Sequence, residues 1–211
     1  MLIYLRDYAN AITAAGYVFA ILGLFLALNG RIELGTASML WMWFLDHWDG
    51  HVARKMDNRR RPGMADFGKS FDGFGDFFHG VLFPSTVIVL IGNGSLLSFI
   101  AVLSLVMAGA LRLSYFANVG LTSNARFQGI PVSYDTPLVA IFLLGKPAVP
   151  DGMFATLLCV AFIVLAALHV ATPVQVPAIR GKAVPVASVV AACVSVALAI
   201  LGQLNTGFGK C

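Results

Sequence analysis

Seven long apolar segments constrain the fold of this chain more than any other feature. They lie at roughly residues 9–28, 34–54, 69–92, 96–118, 133–146, 153–171 and 184–204. A helix that crosses a bilayer needs about 20 mainly apolar residues, and all segments but the fifth are close to or above that length. The fifth is shorter and contains Pro137, so the sequence predicts a tilted or broken span there.

Charged residues are scarce, at 11% of the chain, whereas 59% of its residues are hydrophobic. Soluble globular domains carry about 25% charged residues, so this composition excludes an ordinary soluble fold. No internal repeat and no separate polar domain is apparent. The sequence therefore predicts an all-α, polytopic transmembrane helix bundle of six to seven spans, forming a single domain over residues 1–211.

The distribution of basic residues predicts how the bundle is oriented. With seven spans and a cytoplasmic N-terminus, the cytoplasmic segments hold Arg6, Arg54, Lys55, Arg59, Arg60, Arg61, Lys69, Arg112, Arg126, Arg180 and Lys182. The opposite side holds Arg31, Lys146 and Lys210. This asymmetry predicts an integral protein of the cell inner membrane or an equivalent membrane, with the acidic residues next to the second loop and the active site that they form on the cytoplasmic side. The basic excess indicates lipid headgroups and phosphates as partners, and no nucleic acid.

Two pairs of aspartates lie in neighbouring apolar segments. Asp46 and Asp49 are three residues apart, and Asp72 and Asp76 are four apart, so each pair shares one face of a helix. A carboxylate at the bilayer centre costs about 2.5–3.5 kcal/mol on insertion scales, so four of them require a common partner. If the two helices are antiparallel neighbours, all four carboxylates converge. Oxygen ligands select hard divalent cations, which predicts a Mg²⁺ or Mn²⁺ cofactor, with Ca²⁺ as a further candidate.

Small residues and one arginine accompany the acids. Gly50, Ala53 and Gly68 lie on the aspartate faces, where they leave room for close helix packing or for a flat ligand against the backbone. Arg54 ends the face of the first pair and supplies a planar cation suited to phosphate.

The combined pattern, Asp46-x2-Asp49-Gly50-x2-Ala53-Arg54 followed by Gly68-x3-Asp72-x3-Asp76, resembles the signature of the CDP-alcohol phosphatidyltransferase family. Every fixed position of that signature is present. Thirteen residues separate Arg54 from Gly68, more than is usual in the family, and the extra stretch is Arg59 to Gly63. An insertion of this kind is tolerated in a loop between two helices.

The resemblance implies an integral-membrane transferase. In that family a CDP-lipid binds with its pyrophosphate on the metals, an alcohol attacks the lipid-linked phosphorus, and CMP leaves. By resemblance, Asp46, Asp49, Asp72 and Asp76 are metal ligands, and Asp76 also accepts the proton of the attacking hydroxyl. Asn10 and Thr13 match an Asn-x-x-Thr near the family's nucleotide pocket, although a polar helix cap is an equal interpretation. The implied CDP-lipid-binding residues are Asn10, Thr13, Gly50, Ala53, Arg54 and Gly68.

A second pattern follows the fourth apolar segment. Arg112-Leu113-x-x-Phe116-x-Asn118 and Arg126 to Pro131 resemble the phosphatidylserine synthase branch, as does the stretch from Thr172 to Lys182. By this resemblance the acceptor is L-serine, with Arg112 and Arg126 binding its carboxylate or the lipid phosphates. Glycerol 3-phosphate, an inositol compound and choline remain open as acceptors, and an ordinary basic cytoplasmic loop remains an alternative interpretation. Asp135 is a candidate partner for an amino group or a helix cap.

Other features leave further alternatives. His47, His51 and His79 lie beside the acids and are predicted to be supporting or interfacial residues, and His169 a packing residue. Intramembrane carboxylates also mark ion pathways, so a cation-coupled transporter is a hypothesis of another class. The acids crowd one end of the spans, which favours the transferase. The oligomeric state is open, and a homodimer is compatible with the sequence.

Overall fold

The fold was described from a computed structural model, which covers residues 1–56, 60–124, 126–177 and 183–207. Within these residues the chain is a bundle of α-helices, as the sequence predicts. The helices are α1 (Tyr8–Leu28), α2 (Ile32–Met56), α3 (Met64–Phe77), α4 (Phe83–Ile91), α5 (Leu96–Val119), α6 (Asp135–Gly145), α7 (Asp151–Val170) and α8 (Ala183–Gly207). A short 3₁₀ helix, Leu2–Arg6, precedes α1.

Within the part of the chain that the structure describes, five helical segments are long and apolar enough to cross a bilayer. They are Tyr8–Leu28, Met64–Ile91, Leu96–Val119, Asp151–Val170 and Ala183–Leu204. Helix α2 has 25 residues but carries the charged residues of the aspartate motif at its C-terminal end. Helix α6 has only 11 residues, but 3₁₀ turns at Val132–Tyr134 and Lys146–Ala148 extend it at both ends. Standard helical rises give this whole stretch a length of about 28 Å, near the hydrocarbon thickness of a bilayer.

Helices α1 and α2 pack closely because two glycines face each other. A Cβ placed on Gly23 would lie 2.9 Å from the carbonyl oxygen of Gly35, and a Cβ on Gly35 would lie 2.6 Å from that of Gly23. Met39 of α2 is fully buried at this contact, and Met42 is fully buried against Gly16 of α1. Small residues that allow backbones to approach are a common basis of helix association in membranes. This contact sets the N-terminal half of α1 beside the motif on α2.

The third helical segment is interrupted by a π-helical turn. Helix α3 continues into this turn at Phe78–Leu82, and α4 follows with Pro84 in its first turn. Proline lacks an amide hydrogen and cannot donate to the preceding turn, which accounts for a break at this place. Gly80 lies against the turn before α6, because a Cβ there would be 2.7 Å from the carbonyl oxygen of Val132.

Two short strands join loops that are far apart in sequence. Strand β1 (Arg126–Gln128) pairs antiparallel with β2 (Gln175–Pro177), and Phe127 is opposite Val176. The amide of Gly129 donates to the carbonyl of Val174 at 2.8 Å. The sequence predicts only loops in these regions, so the ribbon is an addition to the predicted all-α fold. Arg59, Arg180, Lys182 and Lys210 lie outside the described residues.

Candidate active site

The four aspartates of the motif line one cavity of about 240 Å³. Asp46 and Asp49 come from α2, and Asp72 and Asp76 from α3. Helix α5, the turn before α6 and the β ribbon form the remaining walls, through Arg112, Leu113, Phe116, Leu121, Phe127, Pro131, Val132, Ser133, Tyr134 and Pro177. The spacing of the aspartates therefore places both pairs on faces that meet, as the helical periodicity predicts.

Two of these acids form a compact group with a buried histidine. One ligand atom each from Asp46, Asp76 and His79 lie within 4.8 Å of one another. The Nε2 atom of His79 is 3.4 Å from Asp76 Oδ1 and 3.7 Å from Asp46 Oδ1. His47 approaches from the other side, with Nδ1 3.5 Å from Asp46 Oδ2 and 2.9 Å from the carbonyl oxygen of Trp43.

The buried oxygens of this group fit a divalent cation. Among the described residues, Asp46 Oδ1 and Asp72 Oδ1 are buried and have no hydrogen-bond partner. A buried carboxylate oxygen without a partner is costly, and a hard cation is the ligand that several such oxygens favour. The donor set is dominated by carboxylates, which suits Mg²⁺ or Mn²⁺ better than the nitrogen and sulfur sites typical of Zn²⁺.

A second cavity, of about 200 Å³, lies next to the first and shares three of its residues. Its walls include Asn10, Thr13, Asp49, Gly50, Ala53, Arg60, Gly68, Lys69 and Asp72. Thr13 is 3% exposed, and its hydroxyl forms a hydrogen bond with Asp49 Oδ2. The family resemblance implies six residues for binding the CDP-lipid, and all of them except Arg54 line this cavity. Arg54 lines the first cavity, and its Nη1 would be 3.2 Å from a Cβ on Gly50.

Arg60 closes one side of the second cavity, and sequence reasoning did not assign it there. Its guanidinium donates to Asp7 at 2.9 and 3.0 Å and to Asn10 Oδ1 at 3.0 Å. Asp7 caps α1, because its side chain accepts from the amide of Asn10. The inserted loop is therefore tied to the start of α1. The sequence shows the run Arg59 to Arg61, but it does not indicate which of these side chains points into the protein.

The structure separates the two arginines that were predicted to act together. Arg112 is 5% exposed, lies over the rings of Phe116 and Phe127, and has a buried Nε without a hydrogen-bond partner among the described residues. Arg126 is exposed on β1 and does not line the cavity. Its neighbour Phe127, in contrast, lines the cavity. The structure therefore favours Arg112 over Arg126 as the cavity arginine, and the binding role of both stays a prediction.

Asp135 is a buried structural partner and neither caps a helix by its side chain nor lines the cavity. Its Oδ2 lies 3.1 Å from His169 Nε2, and His169 Nδ1 lies 2.7 Å from the carbonyl oxygen of Ile130. Both side chains are fully buried. The pair joins α6, α7 and the loop after β1, which holds the cavity wall in place.

Comparison with known proteins identifies the family. The family model for CDP-alcohol phosphatidyltransferases matches residues 6–208. The chain belongs to the CDP-alcohol phosphatidyltransferase family. The family prediction made from the aspartate motif is confirmed, and the motif residues line the cavities of this family member as described above.

One relative of this family member is the protein named phosphatidylcholine synthase from Brucella melitensis biotype 1. The two are 28% identical over 181 residues, which cover 81% of this chain and 60% of the relative. The chain thus spans less than two thirds of the relative's length. The name of this relative gives no support to the finer prediction of a phosphatidylserine synthase branch.

Proposed function

We propose that this protein transfers a phosphatidyl group from CDP-diacylglycerol, or a related CDP-lipid, to a small alcohol and releases CMP. The observation that carries the proposal is the meeting of all four motif aspartates at one cavity, beside a second cavity lined by the small residues of the same motif. The family match supports the same reaction class. Crowding of the acids around one cavity is less compatible with an ion pathway through the midplane.

In this proposal Asp46, Asp49, Asp72 and Asp76 hold one or two divalent cations. The bound cations supply positive charge for the pyrophosphate and for the leaving phosphate. Arg54 and Arg112 add fixed cations on the wall of the same cavity. Asp76 accepts the proton of the acceptor hydroxyl as its oxygen forms the new bond to the lipid-linked phosphorus. The phosphoanhydride bond to CMP breaks in the same displacement.

An apolar groove beside the cavity suits the lipid tails. It is lined by Ile130, Tyr134, Pro137, Leu138, Ile141, Leu165 and Val176, and it shares Tyr134 with the aspartate cavity. A CDP-lipid could then place its acyl chains against α6 and α7 while its pyrophosphate reaches the acids. The arrangement matches a substrate with one apolar end and one anionic end.

Choline is the acceptor that we propose first. The relative from Brucella melitensis is named phosphatidylcholine synthase, and the aromatic ring of Tyr134 lines the cavity with the aspartates. Phe116 and Phe127 also line it, but their rings already lie against the guanidinium of Arg112. Aromatic faces bind quaternary ammonium groups. Serine is the second candidate, because the buried guanidinium of Arg112 could bind a carboxylate.

The test is CMP release from CDP-diacylglycerol in detergent with choline, serine, glycerol 3-phosphate and inositol phosphate in parallel. Release of no CMP with any acceptor would favour the transporter hypothesis.

Substitution of Tyr134 by Leu is expected to raise the KM for choline by about 2- to 30-fold, since a cation–π contact contributes about 0.5–2 kcal/mol. Tyr134→Phe keeps the ring and is the matched control, which should leave that KM nearly unchanged.

Arg112→Gln should raise the KM for the CDP-lipid roughly ten- to hundred-fold, because a hydrogen bond to a charged group contributes about 1.5–3 kcal/mol. Activity with serine alone, with its KM raised in Arg112→Gln, would replace choline by serine.

The proposal also requires the aspartate cavity to face the cytoplasm, where nucleotide-activated substrates occur. We expect Ser123→Cys, in the loop beside the cavity, to resist an impermeant thiol reagent on intact cells. Gly152→Cys, at the opposite end of the bundle, should react. Both residues are exposed and would be tested in a background lacking Cys159, Cys193 and Cys211. Labelling of position 123 but not 152 would reverse the orientation, and lysed cells provide the control for reactivity.

A further inference from the structure

His79 has an unusual position for a histidine in a helical membrane segment. It lies in the π-helical turn after α3, and its side chain is fully buried. Neither of its ring nitrogens has a hydrogen-bond partner among the described residues. A buried polar group without a hydrogen bond is costly, so a ligand at Nε2, beyond its long contacts with Asp46 and Asp76, would stabilise this position.

The ring is directed at the acids rather than at the apolar core. Nε2 lies 3.4 Å from Asp76 Oδ1 and 3.7 Å from Asp46 Oδ1, and the three ligand atoms lie within 4.8 Å of one another. Asp46 Oδ1 is itself buried without a hydrogen-bond partner. A single cation between these atoms would replace the long contacts of Nε2 with the two carboxylates and would give Asp46 Oδ1 a partner.

The backbone around His79 is fixed by contacts that keep the ring in this place. The hydroxyl of Thr136 on α6 donates to the carbonyl oxygen of His79. The next residue, Gly80, packs directly against Val132. A side chain that is buried and held at its backbone is preorganised for binding a ligand.

We propose that His79 supplies a nitrogen ligand to the divalent cation at the Asp46 and Asp76 end of the site. The inference rests on the metal site of the proposed function and adds a fifth ligand residue to its four aspartates. Imidazole nitrogen suits first-row transition metals, whereas Mg²⁺ is held mainly by oxygen. The histidine therefore makes this site selective for Mn²⁺ over Mg²⁺ and defines which cation the protein holds most tightly.

Pulsed electron paramagnetic resonance of bound Mn²⁺ tests this assignment directly. The full chain, freed of any affinity tag and of nitrogen-containing buffer, is loaded with Mn²⁺ without nucleotide. The echo modulation of the wild type should contain a ¹⁴N coupling, which changes to a ¹⁵N coupling when the protein is labelled with ¹⁵N-histidine. His79→Gln should lose the nitrogen coupling. His47→Gln should retain it, because Nδ1 of His47 already contacts the Trp43 carbonyl oxygen.

Equilibrium binding provides the second measurement. His79→Gln should lower the affinity for Mn²⁺ by about tenfold or more, in the range typical for loss of a metal-site residue, while the affinity for Mg²⁺ changes less. Bound Mn²⁺ without any histidine nitrogen coupling in the wild type would overturn the role of His79 and leave the aspartate site intact. A coupling that persists in His79→Gln and disappears in His47→Gln would also overturn it. Failure of the wild type to bind Mn²⁺ at all would overturn the metal site of the proposed function as well.

Discussion

Asp76→Asn is expected to lower turnover by about 10²- to 10⁴-fold, the range that a positioned general base contributes. Asparagine keeps the size of the side chain but cannot accept the proton of the acceptor hydroxyl. The variant should still bind the CDP-lipid, because Asp46, Asp49 and Asp72 remain on the cavity wall. The measurement is the rate of CMP release at saturating acceptor, together with the affinity for CDP-diacylglycerol.

Asp66→Asn is the matched control for Asp76→Asn. Asp66 lies on the same helix, in its first turn, and is exposed. Its substitution should leave turnover unchanged within about twofold, since isolated surface changes have small effects on stability and do not reach the cavity. Near-normal turnover in Asp76→Asn would remove Asp76 from the catalytic role and shift attention to another base in the cavity.

Asp72→Asn is expected to abolish activity and to remove most of the thermal stabilisation by Mn²⁺. A cation at about 100 times its Kd stabilises the folded state by about 2.7 kcal/mol, and a hundredfold loss of affinity would reduce this to a few tenths. Loss of one carboxylate also relieves repulsion among the others, so the variant should fold without metal. Melting curves in detergent with and without Mn²⁺ measure both effects.

Asp46→Asn should behave in the same way, because Asp46 Oδ1 and Asp72 Oδ1 are both buried without hydrogen-bond partners among the described residues. Asp66→Asn again serves as control and should retain the full Mn²⁺-dependent shift. If both cavity variants keep an unchanged shift, the aspartates do not share a cation and the site must be reinterpreted.

The sequence predicts the helical part of this protein well because the relevant information is local. Apolar length defines the helices, and three- and four-residue spacings place Asp46 and Asp49, and then Asp72 and Asp76, on single faces. These faces then meet at one cavity. The predicted fold class and family are confirmed, whereas the catalytic and metal roles of the individual residues stay predictions.

The parts that sequence reasoning missed depend on contacts between distant segments. Strand β1 has three residues and forms only because β2 lies beside it, so nothing local distinguishes Arg126 from Phe127 as the residue that faces the cavity. The sequence around Asp135 shows no partner for its carboxylate, because His169 comes next to it only through the packing of α6 and α7. The side chain of Arg60 likewise points into the protein because its guanidinium donates a hydrogen bond to Asp7, more than 50 residues earlier.

The β ribbon has a consequence for how the protein is made. All four aspartates are synthesised by residue 76, but Pro177 of β2 belongs to the wall of their cavity, and Phe127 is held by pairing with Val176. At a translation rate of about 5–20 residues per second, the second strand emerges roughly 5–20 s after the last aspartate. During membrane insertion the cavity around the acids therefore lacks one wall. The site is completed only when α7 has entered the bilayer and β2, in the loop after α7, has paired with β1.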